Sequence, residues 1–68
     1  MTELELKNLK QFDIVYIVVN GEVKSYKFMW FLDSETIEIQ PVDNIILIPV
    51  RRRHWNRLLL TNPNLTNA

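Results

Sequence analysis

"FDIVYIVVNGEV", Phe12–Val23, decides the fold class of this chain. Phe12–Val19 is dense in β-branched and aromatic side chains, which suit a pleated, half-buried surface. Asn20-Gly21 follows at once, and a second apolar run starts at Val23. Asn-Gly between two such runs is the strongest short-range hairpin signal, because a two-residue type I′ turn needs positive φ at both central positions. The chain's only glycine stands there. A two-residue turn also fixes register, and register decides which side chains share a face. Centred on Asn20-Gly21, it sets Val19 opposite Glu22, Ile17 opposite Lys24, Val15 opposite Tyr26 and Asp13 opposite Phe28.

Asp33-Ser34 is a second, weaker turn signal; read the same way, it sets Trp30 opposite Ile37 and Phe28 opposite Ile39. Both hairpins then agree on one face, Val15, Ile17, Val19, Tyr26, Phe28, Trp30, Ile37 and Ile39, which is the expected core. The other face is mixed: Phe12, Ile14, Tyr16, Val18, Val23, Met29 and Phe31 stand beside Ser25, Lys27, Thr36, Glu38 and Gln40. A sheet with one wet face alternates cleanly, and only "TIEIQ", Thr36–Gln40, does so. The second face therefore needs cover. Pro41 breaks the ladder, and "IILI", Ile45–Ile48, reads as a fourth strand closed by Pro49, since proline cannot donate to a ladder. "TELELKNLKQ", Thr2–Gln11, suits two readings: Thr2 and Glu5 stand at capping-box spacing, whereas Leu4 and Leu6 alternate as in a strand.

"VRRRHWNRLLL", Val50–Leu60, is the stretch least like ordinary core. With Pro49 in the first turn of a helix, Trp55, Leu58 and Leu59 cluster on one face, Arg51 and His54 lie at its edge, and Arg52, Arg53, Asn56 and Arg57 gather opposite. Such a helix would dock on the mixed face, over Phe12, Ile14, Tyr16, Met29 and Phe31. Arginines in the first turn sit at the positive end of the helix dipole, unfavourable by about a few tenths of a kcal/mol each. Either they meet an anion, or the segment begins extended. Both versions put Arg51, Arg52 and Arg53 at a contact surface.

The expected fold is mainly β: a small curled antiparallel sheet, or an SH3-like or Sm-like barrel, of about four strands with a C-terminal helix. "FDIVYIVVNGEV" resembles the opening hairpin of many such barrels. The likeness is one of pattern over the first half of the chain and implies a fold only. Sixty-eight residues make a single domain, expected over 1–60, with 61–68 as a polar, frayed tail. An apolar share of 47% is enough for a core, and 24% charged is ordinary.

The absence of Cys removes disulfides and thiolate chemistry and, with no signal-peptide pattern at "MTELELK", suggests a cytoplasmic protein. No apolar run approaches the roughly 18 residues of a membrane span. "NLT" at Asn64 matches a glycosylation sequon, expected to be chance without secretion. Residues 1–43 hold eight acids against four bases and residues 44–68 hold four arginines and no acid, so a neutral chain divides into −4 and +4. That split implies a basic site at the end, or ends that attract each other.

There is no glycine-rich phosphate loop, nucleophile elbow or zinc spacing. His54 is the one side chain of the type that titrates near neutrality, and its neighbours are arginines with no carboxylate to orient it. Asp33, Glu35, Glu38 and Asp43 read as solvating carboxylates around turns. The expectation is therefore a non-catalytic interaction module or small regulatory subunit without cofactor, metal or small-molecule substrate. It would bind a protein partner, and possibly itself, through Tyr16, Met29 and Phe31 of the sheet and Arg51, Arg52, Arg53, His54, Trp55 and Arg57 of the C-terminal segment. The alternative is RNA or DNA binding: the arginines on phosphate, Trp55 stacked on a base, His54 and Asn56 adding hydrogen bonds. Against it stand the neutral charge and a pI near 6.5.

Overall fold

A computed structural model of the chain describes residues 1–65. A short helix α1 (Glu3–Lys7) precedes four strands, β1 (Ile14–Val19), β2 (Glu22–Asp33), β3 (Thr36–Pro41) and β4 (Ile48–Arg51). Two 3-10 helices follow, Arg52–Arg57 and Pro63–Leu65. The strands form one open antiparallel sheet in chain order. The second 3-10 helix lies within the segment expected as a tail, and residues 66–68 lie outside the described residues.

The first hairpin has the register that its turn dictates. Val19 pairs with Glu22, Ile17 with Lys24 and Val15 with Tyr26, and the Phe28 amide donates to the Asp13 carbonyl at 2.7 Å. Asn20 at φ 51° and Gly21 at φ 80° supply the two positive-φ positions. In the second hairpin Phe28 faces Ile39 as expected, but Trp30 faces Glu38 and Phe31 faces Ile37. The pairing shifts twice, between Phe28 and Trp30 and between Phe31 and Asp33. The turn itself falls on Ser34-Glu35, one residue later than the Asp33-Ser34 reading, with the Asp33 carboxylate accepting from the Glu35 amide at 2.8 Å. An expected Trp30–Ile37 pairing is therefore corrected: an extra residue at Met29 rotates Trp30 off the core face and turns Phe31 towards it.

Val15, Phe28, Ile37 and Ile39 do form the core, with Ile17 and Tyr26 packed at its margin, but Val19 and Trp30 are exposed. Leu6, Trp55 and Leu58 complete it. α1 provides Leu6, and its N-terminus is the capping box: the Glu5 amide donates to the Thr2 hydroxyl while the Thr2 amide donates to the Glu5 carboxylate at 2.8 Å. Five residues cannot hold a helix alone. Burial of Leu6 and the bonds from the Met1 amino group to the carbonyls of Trp55 (2.6 Å) and Leu58 (3.1 Å) tie this end of the chain to the C-terminal segment.

The C-terminal segment departs most from expectation. Pro49 lies inside β4, which runs Ile48–Arg51, and Ile45–Leu47 form part of the loop before it. β4 is an edge strand; counting the alternation from the Arg52 amide bond to Glu35 (2.7 Å), the Pro49 nitrogen faces outward, where no ladder bond is lost. The helix then starts at Arg52 and is 3-10, not an α-helix begun at Pro49. Three residues per turn align Arg52, Trp55 and the cap residue Leu58 in one row, in place of the Trp55–Leu58–Leu59 face of an α-helix. That row packs on the Val15–Phe28–Ile37–Ile39 face, not on the mixed face, and Leu59 instead reaches the outer edge of β1, exchanging two backbone bonds of 2.9 Å with Tyr16.

An added Cβ at Gly21 would meet nothing within 4 Å, so Gly21→Ala isolates the backbone requirement of the turn. It should cost about 1 kcal/mol from left-handed φ alone. Urea denaturation should show a lower midpoint with an unchanged slope; an unmoved midpoint would contradict a type I′ turn at this position.

Candidate functional site

The two tryptophans stand in opposite environments. Trp55 is 3% exposed, its ring edge-on to Phe31 at 5.9 Å and 87°, and its indole N–H donates to the Val50 carbonyl at 3.0 Å. Phe31 is likewise edge-on to Phe28, at 5.9 Å and 70°. Buried tryptophan needs an acceptor for its N–H, and β4 supplies one. Trp30 is 39% exposed and donates its indole N–H to the Glu38 carboxylate at 2.7 Å, across the strand pair on the sheet's outer face. An exposed ring held in one orientation loses little side-chain entropy on binding.

The outer face is mixed: apolar side chains share it with Ser25, Lys27, Glu38 and Gln40. Ile14 and Val18 of β1 are exposed, Tyr16 and Val23 are half-buried, and Leu32 is exposed near the hairpin tip. Phe12 is 57% exposed at φ 76°. A bulky residue in the left-handed region stores strain of about 1 kcal/mol or more, and here an exposed ring accompanies it. The loop Val42–Leu47 adds exposed Val42, Ile45, Ile46 and Leu47.

Of the residues singled out from the sequence, Trp55 and Met29 are buried and Phe31 is half-buried against the core. None of these three offers a free ring or side chain. Tyr16 stays on the outer face, and Arg51, Arg53, His54 and Arg57 are exposed. Arg52 is exposed too but is committed internally: it pairs with the Glu3 carboxylate, donates to the Ser34 carbonyl at 3.3 Å, lies 4.0 Å from Glu35 and covers the Trp55 ring at 5.2 Å from its centroid. The −4 and +4 halves thus meet inside one molecule through Arg52, Glu3 and Glu35. Trp30 was missed as a surface residue, whereas Phe12, Ile14 and Val18 were placed on the second face without being singled out for binding. The available signal was the run "KFMWFLD", whose unbroken apolar stretch cannot obey alternation throughout.

Arg51, Arg52 and Arg53 line a cleft of about 390 Å³ with Glu35. A second cleft of about 460 Å³ lies between the start of β2 (Glu22, Lys24, Tyr26) and the loop after β3 (Val42, Asp43, Asn44), away from all these residues. Among the described residues no three His, Cys, Asp or Glu side chains converge as a metal site, and no helix is long and apolar enough to cross a membrane. The chain matches no known family, curated protein or solved structure with which it was compared.

The Glu3 carboxyl is held below the ordinary glutamate range, first by its hydrogen bond from Lys7 (2.9 Å) and then by that from Arg52. Glu5 is lowered by the Thr2 backbone and hydroxyl. A depressed folded-state value means stability present above the unfolded value and lost as pH falls through the folded one. Urea midpoints measured from neutral pH down through the glutamate range should therefore fall, and fall less steeply in Glu3→Gln. Identical pH dependence in the variant would show that the Lys7–Glu3–Arg52 bridge contributes nothing in solution.

Proposed function

We propose that this protein is a non-catalytic cytoplasmic interaction module that binds a protein partner, and itself, through the outer face of its sheet. The observation that carries this reading is the exposed Trp30 ring, pinned by Glu38 on the sheet face that also exposes Ile14 and Val18 of β1. Exposed apolar side chains with an aromatic anchor are typical of interfaces, and Trp and Tyr are prominent among hot-spot residues. The strained, exposed Phe12 supports the same reading, because its conformational cost has no return in core packing. Of the earlier candidates, Tyr16 belongs to this surface. The return of Leu59 to β1 after a 3-10 turn supports a small SH3-like or Sm-like barrel as the finer architecture, with the sheet's two edges brought towards each other through the C-terminal segment.

Light scattering coupled to size exclusion tests the self-association. Mass should rise above 8.1 kDa with micromolar concentration in the wild type and stay monomeric in Trp30→Lys, with the circular dichroism spectrum unchanged. A wild-type monomer throughout that range removes self-association, and a Trp30→Lys variant that assembles as the wild type does removes the outer face as its site.

A further inference from the structure

We propose that the Arg51–Arg53 cleft is a phosphate-binding site. Its residues do not overlap the outer-face surface around Trp30, so the two readings stand or fall separately. Consecutive side chains on a strand alternate between faces. Here the chain passes from β4 into the 3-10 helix at Arg51 (φ −75°, ψ 153°), and three successive arginines come to line one cleft. Their roles differ. Arg52 is locked by Glu3, the Ser34 carbonyl and the Trp55 ring, which makes it a fixed wall. Arg53 is steadied by donating its Nε–H to His54 Nε2 at 3.3 Å, and it meets no carboxylate among the described residues. Arg51 has neither a hydrogen-bond nor an ion-pair partner there. With Glu35 as the only acid in the lining and Arg52 already paired with Glu3, Arg51 and Arg53 are the cations of the cleft that no carboxylate meets among the described residues.

Residue choice supports a built site over a merely solvated surface. All four cations of residues 1–43 are lysines, Lys7, Lys10, Lys24 and Lys27, whereas all four after residue 43 are arginines. Solubility needs no such segregation. Arginine's planar fork binds phosphate oxygens in pairs, and lysine's point charge does not. Glu35 already provides one carboxylate. A phosphate group presents several oxygens at once to Arg51 and Arg53, the cations that no carboxylate meets among the described residues. Its source could be a free phosphate or a nucleic-acid end, and the arms of the experiment separate these.

The test is an amide chemical-shift titration at about 50 mM salt, where phosphate contacts are still weakly screened. The probes are pyrophosphate, a single-stranded oligonucleotide bearing a 5′ phosphate, and the same oligonucleotide without it. Pyrophosphate and the phosphorylated strand should shift the amides of Glu35 and Arg51–His54 and leave those around Asn20 still. Replacing both free forks, Arg51→Gln with Arg53→Gln, should weaken binding about tenfold or more, and Glu35→Gln should strengthen it. Equal binding of both oligonucleotides keeps the phosphate site and makes the diester backbone its source, whereas pyrophosphate binding without either strand makes the source a free phosphate. Absence of shifts with every probe, an unweakened double variant, or equal shifts from acetate at the same concentration overturns the proposal.

Discussion

Between Phe28 and Phe31 strand β2 takes three steps while β3 takes two, from Ile39 to Ile37, so Met29 and Trp30 together oppose Glu38. Everything distinctive about the molecule depends on that extra residue. With it, Phe31 turns inward and lies edge-on between Phe28 and Trp55, completing the aromatic part of the core. Trp30 turns outward, where Glu38 satisfies its indole N–H. Full burial of a Phe side chain is worth about 1.5–3 kcal/mol, and the partly buried Phe31 gains a fraction of that. Trp55 can occupy the core because Val50 offers its N–H an acceptor. The bulge thus decides which aromatic rings hold the fold together and which one is presented.

The arginine run is divided by the same kind of local geometry. A 3-10 helix repeats every three residues, so Arg52, Trp55 and Leu58 form one row, and Arg52 covers the ring that Leu58 helps to bury. Its carboxylate partner, Glu3, comes from the opposite end of the chain and is itself set by the Thr2–Glu5 capping box and the pairing with Lys7. Arg51 and Arg53, on either side of Arg52 in sequence, are left facing the cleft. One arginine closes the fold while its two neighbours are displayed, which is why a run of like charges is tolerated beside a core residue.

Much of this was legible in the amino-acid sequence wherever a local rule has one solution. Asn20-Gly21 specifies a turn, the turn specifies register, and Val15, Phe28, Ile37 and Ile39 follow as core. The Thr2–Glu5 spacing pointed to a capping box, but Leu4 and Leu6 fitted a strand as well, so two readings stayed open there. The second hairpin was not, because "FMWFL" is apolar on both parities and alternation cannot say where a residue is inserted. The outcome depends on fitting Phe31 against Trp55, two residues far apart in the chain. For the same reason Trp55 packs on the core face and not on the mixed one, Met29 is buried, and Trp30, taken for core, lies outside. Pro49 misled in a different way: an outward-facing proline is permitted in an edge strand, and only tertiary position reveals the edge.

The exchange of the two indoles offers the most direct measurement. In Trp55→Phe the sole remaining indole is Trp30, and in Trp30→Phe it is Trp55, so each can be read alone by its emission and by iodide quenching. The account predicts red-shifted, readily quenched emission from Trp30, and blue-shifted emission from Trp55 that iodide scarcely touches until urea unfolds the protein. Quenching in the reverse order, with Trp30 shielded and Trp55 open to iodide, would contradict the bulge at Met29 and with it the interior and the surface described above.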